Sequence, residues 1–156
     1  MSTYYKAVGG VESVALYPAD AVVVALFSTE GCEVRLEGKP IEVELLDNGS
    51  YYEEHSKTEG GATKISHKLH LKADRKSAEA WLKPQFAERA SIEGVVAVVR
   101  LCDGRELLVG YSAIFGSEQP LRLESLTSTS GSSPRDIPSV ELHLVANDGE
   151  FSRQII

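Results

Sequence analysis

The chain is poor in the residues that mark secreted and membrane-spanning proteins. Its two cysteines, Cys32 and Cys102, are too few and too far apart for a disulfide framework, and they are typical of reduced, buried thiols in an intracellular protein. No apolar run approaches the roughly 20 residues of a membrane-spanning helix. The opening residues, MSTYYKAVGG, lack the basic and apolar regions of a secretory signal. We therefore expect a chain that is neither exported by the usual route nor placed in a membrane.

Sequence motifs of catalysis and cofactor binding are also missing. Gly9-Gly10 and Gly60-Gly61 lack the preceding strand and following helix that aim backbone amides at a phosphate. No Gly-x-Ser-x-Gly elbow presents a serine as a nucleophile. His67 and His70 lie in a predicted strand, where their spacing turns them to opposite faces and disfavours a shared metal ion. The sequence thus predicts no catalytic residue, no cofactor and no metal site. The alternative of an enzyme would require a deep pocket that holds acids or histidines with shifted pKa values.

A surplus of basic residues is absent as well. The chain has 16 Lys and Arg against 23 Asp and Glu, which gives a net charge of −7. Such a surface does not bind nucleic acid by neutralising its phosphates. With 156 residues, 42% of them apolar and 25% charged, the chain has the length and composition of one globular domain. We therefore predict a single domain over residues 1–156.

The strongest local pattern is a β-hairpin in Gly94–Ala113, GVVAVVRLCDGRELLVGYSA. Asp103-Gly104 is typical of a two-residue type I′ turn, and two apolar, β-branched runs of matching length flank it. With this loop, Val98 faces Val109 across the hairpin. Both faces are apolar near the base of the hairpin, so we expect it in the middle of a sheet that is covered on both sides.

Hydrophobic patterning predicts six further strands. The run Ala21–Phe27 is apolar nearly throughout, and its length predicts a buried strand. The other five runs alternate apolar and polar residues: Cys32–Glu37, Ile41–Leu46, Thr63–Lys72, Leu121–Leu126 and Ser139–Ala146. The outer face of Thr63–Lys72 is basic, and either solvent or an acidic partner would cover it.

One helix is predicted between the early and the late strands, over Asp74–Ala90. Trp81, Leu82 and Phe86 recur at helical spacing and form its buried stripe. Pro84 stands inside this pattern and removes a backbone donor, so we expect a kink or break just before it. Seven or eight strands with one helix predict a mainly β fold, a β-sandwich or barrel with the helix packed on one flank.

The remaining segments are polar or mixed. Residues 1–18 predict an N-terminal arm or a short strand, and residues 150–156 predict a short C-terminal tail. Asp47–Ala62 predicts a long hairpin loop or an extended β-arm, and long loops of this kind are commonly functional. It carries a cluster of polar and ionisable side chains, namely Tyr51, Tyr52, Glu53, Glu54 and His55. Because adjacent residues point in different directions, we interpret this cluster as part of a solvated loop or a protein contact rather than as paired catalytic acids.

Three strings and the order of the elements carry a family resemblance. The strings are GGVESVALYPADAV near the start, and GYSAIFGSEQPLRLESLTSTSG and PSVELHLVANDGEF near the end. Together they resemble the tail tube proteins of tailed bacteriophages and prophages and, more distantly, the tube proteins of contractile injection systems. In that family two sheets form a barrel or sandwich, a long β-arm projects from it, and a helix lies between the early and late strands. Here the arm would be Asp47–Ala62, with Tyr51–His55 as its assembly loop, and the helix would be Asp74–Ala90.

The resemblance implies a structural function without an active site. Subunits would assemble in the host cytoplasm into a ring, usually a hexamer, and rings would stack in the virion into a conduit through which DNA passes as cargo. The partners would be further copies of the chain and other tail or connector proteins. An acidic lumen would repel phosphate, which fits the net charge. A tail terminator or head-tail connector shares the fold and is an equal alternative. A monomeric β-sandwich binding or adaptor module would explain the same strands without assembly.

Overall fold

The computed structural model describes residues 10–156, within which lie eleven β-strands and one α-helix. The strands are β1 (Val11–Pro18), β2 (Val22–Ser28), β3 (Gly31–Leu36), β4 (Ile41–Glu42), β5 (Tyr51–Glu59), β6 (Ala62–Asp74), β7 (Val95–Leu101), β8 (Glu106–Val109), β9 (Arg122–Thr129), β10 (Ser139–Asp148) and β11 (Arg153–Gln154). A 3-10 helix, Ser77–Ala80, precedes α1, Pro84–Ile92. Of the described residues, 54% are in strands and 9% in helices, so the predicted mainly β class is confirmed.

The strands form three antiparallel groups. A five-stranded sheet has the order β11-β8-β7-β1-β4, a four-stranded sheet has the order β5-β6-β10-β9, and β2 and β3 form a separate ribbon. Within residues 10–156 no sheet closes into a barrel, and the arrangement is sandwich-like. The sandwich alternative is therefore the one that the chain adopts.

The main core lies between the two larger sheets. Alternation along β6 and β10 buries Leu69, Leu71, Leu142 and Leu144 against the inner residues of β1 and β7. The 3-10 helix and α1 cover one flank of this core. Burial of apolar side chains from both sheets in one cluster is the dominant favourable contribution to the fold.

The β7–β8 hairpin occupies the position that the sequence predicted. β7 is the central strand of its sheet, with Ala97 buried in the main core and Val96 buried on the opposite face. The predicted register is wrong by one residue, because Val98 pairs with Leu108 rather than with Val109.

The type of turn explains this shift. The amide of Leu101 donates to the carbonyl of Arg105 at 2.8 Å, and the amide of Gly104 donates to the carbonyl of Leu101 at 2.9 Å. Only Gly104 has a positive φ, 93°, whereas the φ of Asp103 is not positive. The loop is therefore three residues long, a type I turn followed by a glycine in the left-handed region, and not the predicted type I′ turn.

The predicted break in the helix is confirmed. Lys83 has an extended conformation, and α1 begins at Pro84, whose missing amide hydrogen is not needed in the first turn. The helix ends at Ile92, two residues beyond the predicted end. Trp81 and Phe86 are buried, as the stripe predicted. No helix within the described residues has the length and apolar character needed to cross a membrane.

The prediction of a buried strand at Ala21–Phe27 is wrong. β2 pairs only with β3, and its outer face leaves Val24 and Leu26 exposed by 44% and 61%. The inner face of the ribbon packs Phe27 and Cys32 over the far side of the five-stranded sheet. An apolar run of this length does not reveal whether one or both faces are covered.

Strands form in three segments that the sequence predicted as an arm or short strand, as a hairpin loop or extended β-arm, and as a tail. Residues 11–18 of the predicted N-terminal arm form β1, which β7 and β4 flank, while residues 1–9 of that arm lie outside the described residues. Residues 51–59 of the predicted loop form β5, and residues 153–154 of the predicted tail form β11. Conversely, the predicted strand Ile41–Leu46 shrinks to the two residues of β4, although Ile41, Val43 and Leu45 pack on the core as expected. In these segments, pairing with neighbouring strands rather than the local sequence pattern determines whether a strand forms.

Candidate functional site

The predicted assembly loop, Tyr51–His55, is the first half of β5, an edge strand of the four-stranded sheet. Tyr51–Glu59 fit the predicted extended β-arm rather than the alternative of a long hairpin loop, because β5 pairs with β6 along its whole length. The prediction that neighbouring side chains diverge is confirmed. Tyr51, Glu53 and His55 are exposed on the outer face, whereas Tyr52 and Glu54 reach partners inside the sandwich.

These two inward side chains form a buried polar cluster with His67 of β6 and with Ser152. The Tyr52 hydroxyl lies 2.6 Å from Nδ1 of His67 and 2.5 Å from the Ser152 hydroxyl. The backbone amide of Ser152 donates to Oε2 of Glu54 at 2.7 Å. His67 itself is only 3% exposed, so its ring nitrogens depend on these partners.

Protonation of the cluster follows from its partners. Nε2 of His67 lies 3.0 Å from the carbonyl oxygen of Glu150, which can only accept, so Nε2 carries a hydrogen. Burial raises the pKa of Tyr52 well above its usual range, so its hydroxyl stays protonated and can donate to Nδ1. Burial alone would also raise the pKa of Glu54. The contact with His67 and the hydrogen bond from the Ser152 amide outweigh that effect and leave the pKa of Glu54 below its ordinary value of 4.5.

The cluster contains a serine, a histidine and an acid, but not in the geometry of a catalytic triad. The Ser152 hydroxyl lies 3.2 Å from Nδ1 of His67, and Oε2 of Glu54 lies 3.3 Å from the same atom. A triad needs the serine and the acid on opposite ring nitrogens, so that one activates and the other orients the imidazole. Here the Glu150 carbonyl occupies the second nitrogen. The arrangement holds the chain in place around Ser152.

Residues 150–153 connect separate parts of the sandwich. The Glu150 carboxylate accepts hydrogen bonds from the Ala113 amide at 2.8 Å and from Nη2 of Arg153 at 3.0 Å. Nη1 of Arg153 donates to the carbonyl of Ser28 at 2.8 Å, and the guanidinium lies 5.2 Å from the centre of the Phe27 ring. The C-terminal residues thus connect the four-stranded sheet to the β2–β3 ribbon.

The far end of the β5–β6 hairpin projects beyond the sheet. Pairing of β6 with β10 ends at Ile65 opposite Asp148, but pairing with β5 continues to Ala62 opposite Glu59. Gly60-Gly61 closes the hairpin with φ values of 57° and 83°. Every residue of 56–64, which we call the projecting ribbon, is exposed. The predicted β-arm therefore corresponds to a shorter two-stranded ribbon.

A second group of polar side chains lies on the outer face of the four-stranded sheet. His70 of β6 is directly opposite His143 of β10, and Glu141 precedes His143 by two residues on the same face. One ligand atom from each of the three lies within 4.8 Å of the others. Alternation placed each residue on an outer face, but the sequence does not reveal that β6 and β10 are neighbours. This is the set of described residues that could hold a metal ion.

A cleft of about 280 Å³ lies between β1, β4 and α1. Leu16, Ile41 and Phe86 form its apolar wall, and Lys39 and Arg89 lie among its lining residues. Its lining includes neither an acid nor a histidine. The cleft is separate from the buried polar cluster and from the outer histidines.

No protein-family model matches the chain, and neither a curated protein nor a solved structure is significantly similar to it. Functional inference therefore depends on the residues and geometry described above.

Proposed function

We propose that this chain is a non-enzymatic structural protein of a phage or prophage virion, a tail tube or head-tail connector subunit that oligomerises into rings. The projecting ribbon carries the proposal. It exposes all nine of its residues, 56–64, and so buries little within its own subunit. A β-ribbon of this kind is suited to pairing with a second chain, where its backbone groups gain hydrogen bonds and its side chains gain contacts.

The edges of the four-stranded sheet supply a surface to which such a ribbon can add. β5 and β9 are its outer strands, and each leaves one row of backbone amides and carbonyls without a neighbouring strand in this sheet. A contact in which the ribbon of one copy meets an edge of the next uses two different surfaces. Contacts of this heterologous type generate rings when the rotation between subunits closes.

The exposed face of β2 offers an apolar contact area. Val24 and Leu26 lie side by side on it, opposite Arg35 and Glu33 of β3. Neighbouring exposed apolar residues commonly mark protein contacts. The net charge of −7 supports the same proposal, because an acidic inner surface would let DNA pass without binding it.

The experiment is to measure oligomeric state and shape with and without the projecting ribbon. Replacing Lys57–Lys64 by Asn-Gly keeps Ser56 opposite Ile65 and closes the shortened hairpin with a two-residue turn. We expect the parent to form rings or tubes with increasing concentration, seen by sedimentation and electron microscopy. The shortened variant should stay monomeric with an unchanged circular dichroism spectrum, because the removed residues are outside the core.

A matched control keeps the ribbon and changes only its tip. Gly60→Asn is compatible with the positive φ at this position and should assemble like the parent. Rings that persist after the ribbon is removed would exclude it as the assembly element. A parent that remains monomeric at millimolar concentration would contradict the proposal and favour a monomeric β-sandwich binding or adaptor module, for which the exposed β2 face is the available contact area.

A further inference from the structure

The outer face of the four-stranded sheet brings together three donor groups that are distant in sequence. His70 and His143 are directly opposite each other on β6 and β10, with ring centres 4.0 Å apart and planes inclined by 22°. Glu141 lies on the same face of β10, and its Oε1 is 3.8 Å from Nε2 of His70. Two residues at positions i and i+2 of one strand, with a third across the pair, lie on one face of a sheet within reach of one another.

The contacts of His70 do not compensate for the burial of its ring nitrogens. Both of its ring nitrogens are buried and have no hydrogen-bond partner among the described residues. The ring packs at right angles to that of Tyr51, with ring centres 4.8 Å apart, and this contact gives neither nitrogen a hydrogen bond. Buried polar atoms without partners are rare in folded proteins and call for a specific explanation.

An ion pair between His70 and Glu141 is a weak explanation. Their separation of 3.8 Å exceeds hydrogen-bond length. Burial and the neighbouring His143 lower the pKa of His70, which favours the neutral ring. Neutral imidazole is the form that binds metal ions.

We propose that His70, His143 and Glu141 form a binding site for a transition-metal cation, with zinc(II) as the first expectation. Two imidazole nitrogens and one carboxylate oxygen are a common three-ligand set for zinc, and solvent takes the fourth position. The partly exposed Glu141 leaves room for that solvent ligand. Magnesium and calcium are disfavoured because they require oxygen ligands. The bound ion would cross-link β6 and β10 and stabilise the sheet.

The positive charge of Lys72 disfavours a cation at this site, so its removal tests the proposal. Its Nζ lies 4.0 Å from the same Oε1 of Glu141, so its charge competes with a cation for the carboxylate. Lys72→Met keeps the aliphatic stem that packs beside Gly49 and removes the charge. This variant should bind zinc several-fold more tightly than the parent. Zinc that bound only to exposed carboxylates or to the chain termini elsewhere would not bind more tightly after this substitution.

The direct experiment is titration of the full chain with zinc chloride in a calorimeter, with cobalt(II) as a spectroscopic substitute. We expect one ion per chain and a visible absorption band typical of tetrahedral cobalt(II). His70→Ala and His143→Ala should each weaken zinc binding about tenfold or more, since even the loss of a group that only supports a ligand costs 10- to 100-fold. His55→Ala is the matched control, because His55 is exposed on the same face of the sheet at β5.

Thermal unfolding gives an independent readout. At a zinc concentration about 100-fold above the dissociation constant, mass action predicts a rise of about 5 to 10 °C in the parent. The rise should vanish in Glu141→Gln, which keeps the shape of the side chain. The ligand variants should fold without zinc, since the ring nitrogens of His70 make no hydrogen bonds within the described residues.

Several results would overturn the proposal. These are a parent that binds no zinc at millimolar concentration, a His70→Ala variant that binds as tightly as the parent, or an equal loss in His55→Ala. If an alanine variant does not fold, the thermal shift of Glu141→Gln decides. The outcome is independent of ring assembly, because the projecting ribbon contributes no ligand.

Discussion

Nδ1 of His67 lies 2.6 Å from the hydroxyl of Tyr52 on the neighbouring strand, and this contact is the centre of the buried polar cluster. Because His67 is 3% exposed, the hydroxyl is a partner that water cannot easily replace. The same hydroxyl contacts Ser152, which connects the C-terminal segment to the sheet. One phenol group thus satisfies a buried imidazole and secures a segment that is remote in sequence.

Tyr52→Phe should therefore destabilise the fold with almost no change in shape. Loss of the hydroxyl removes the hydrogen bond to Nδ1 of His67 and leaves that atom the longer contact with the Ser152 hydroxyl at 3.2 Å, which costs about 1 kcal/mol. Unfolding in urea measures the difference in free energy. Tyr51→Phe is the matched control, because Tyr51 is 45% exposed on the other face, and it should change stability by less than about 0.5 kcal/mol. Equal effects of the two variants would show that the cluster does not stabilise the protein.

Glu54 makes stability depend on pH in the acidic range. Burial raises the pKa of Glu54, but the contact with His67 and the hydrogen bond from the Ser152 amide prevail and lower it below 4.5. A lowered pKa means that the folded chain binds fewer protons than the unfolded chain. The stabilisation is therefore complete above pH 4.5 and is lost as the pH falls through the pKa of the folded state.

Glu54→Gln should reduce the slope of unfolding free energy against pH below about pH 4.5, the range in which Glu54 titrates. The slope should not vanish, because backbone hydrogen bonds also lower the pKa of Asp74, Asp103 and Asp136. Glu53→Gln, on the exposed face of the same strand, is the control and should behave like the parent. An unchanged slope in Glu54→Gln would contradict the assigned hydrogen bonds.

The turn of the β7–β8 hairpin can be tested by two single substitutions. Gly104 has a φ of 93°, so Gly104→Val should cost about 1 to 3 kcal/mol in backbone strain. Nothing lies within 4 Å of the added Cβ, so steric overlap does not contribute. Asp103→Ala should cost less, since this residue has no positive φ and loses only its hydrogen bonds to Arg105. Equal strain at both positions, read from urea unfolding, would restore the type I′ assignment.

The two glycine turns show what local sequence can and cannot predict. Asp103-Gly104 has the typical type I′ pair but forms the longer loop, in which the Asp103 carboxylate accepts the Arg105 amide at 3.0 Å. Gly60-Gly61, which the sequence placed in a long hairpin loop or extended β-arm without a turn type, has positive φ at both residues, as a type I′ turn requires. The two strands of the β7–β8 hairpin were predictable from their apolar, β-branched runs, but their register depends on which competing turn the side chains stabilise.

The candidate sites were predictable only in their separate parts. Alternation correctly placed His70, Glu141 and His143 on outer faces and His67 on an inner face. Their grouping requires the pairing of β6 with β10, which brings residue 70 opposite residue 143. Because β5 is polar and lacks hydrophobic periodicity, the sequence did not predict its pairing with β6 or the buried contacts of Tyr52. Local sequence patterns do not predict which strands become neighbours when those strands are distant in sequence.

Trp81 should be the most costly side chain to truncate on the helical flank. It is 2% exposed within the main core, and Trp81→Ala should cost about 3 to 5 kcal/mol. Trp81→Phe should cost clearly less, because Nε1 of the indole has no hydrogen-bond partner among the described residues. Unfolding in denaturant compares the two. A loss below about 1 kcal/mol for Trp81→Ala would mean that this flank contributes little to the core.

The last prediction concerns how the C-terminal residues cover Cys32. The thiol belongs to the small core beneath the β2–β3 ribbon, where Ile155 packs against it and the Ile156 amide donates to the Cys32 carbonyl at 2.9 Å. Burial raises the pKa of Cys32, which further slows its reaction because the thiolate is the reactive form. A thiol reagent should therefore modify Cys102, which is partly exposed, and leave Cys32 unmodified while the protein is folded.

Removal of Arg153–Ile156 should make Cys32 reactive in the folded protein. The truncation deletes β11 and the Ile155 contact, so solvent reaches the inner face of the ribbon. Cys102→Ser in both the parent and the truncated chain isolates the signal of Cys32, and circular dichroism verifies that the sheets persist. We expect reaction of the truncated chain to be faster by at least about tenfold, which corresponds to loss of about 1.4 kcal/mol of protection against local opening. Equal reaction rates for the two chains would show that the C-terminal segment does not hold the ribbon on the sheet.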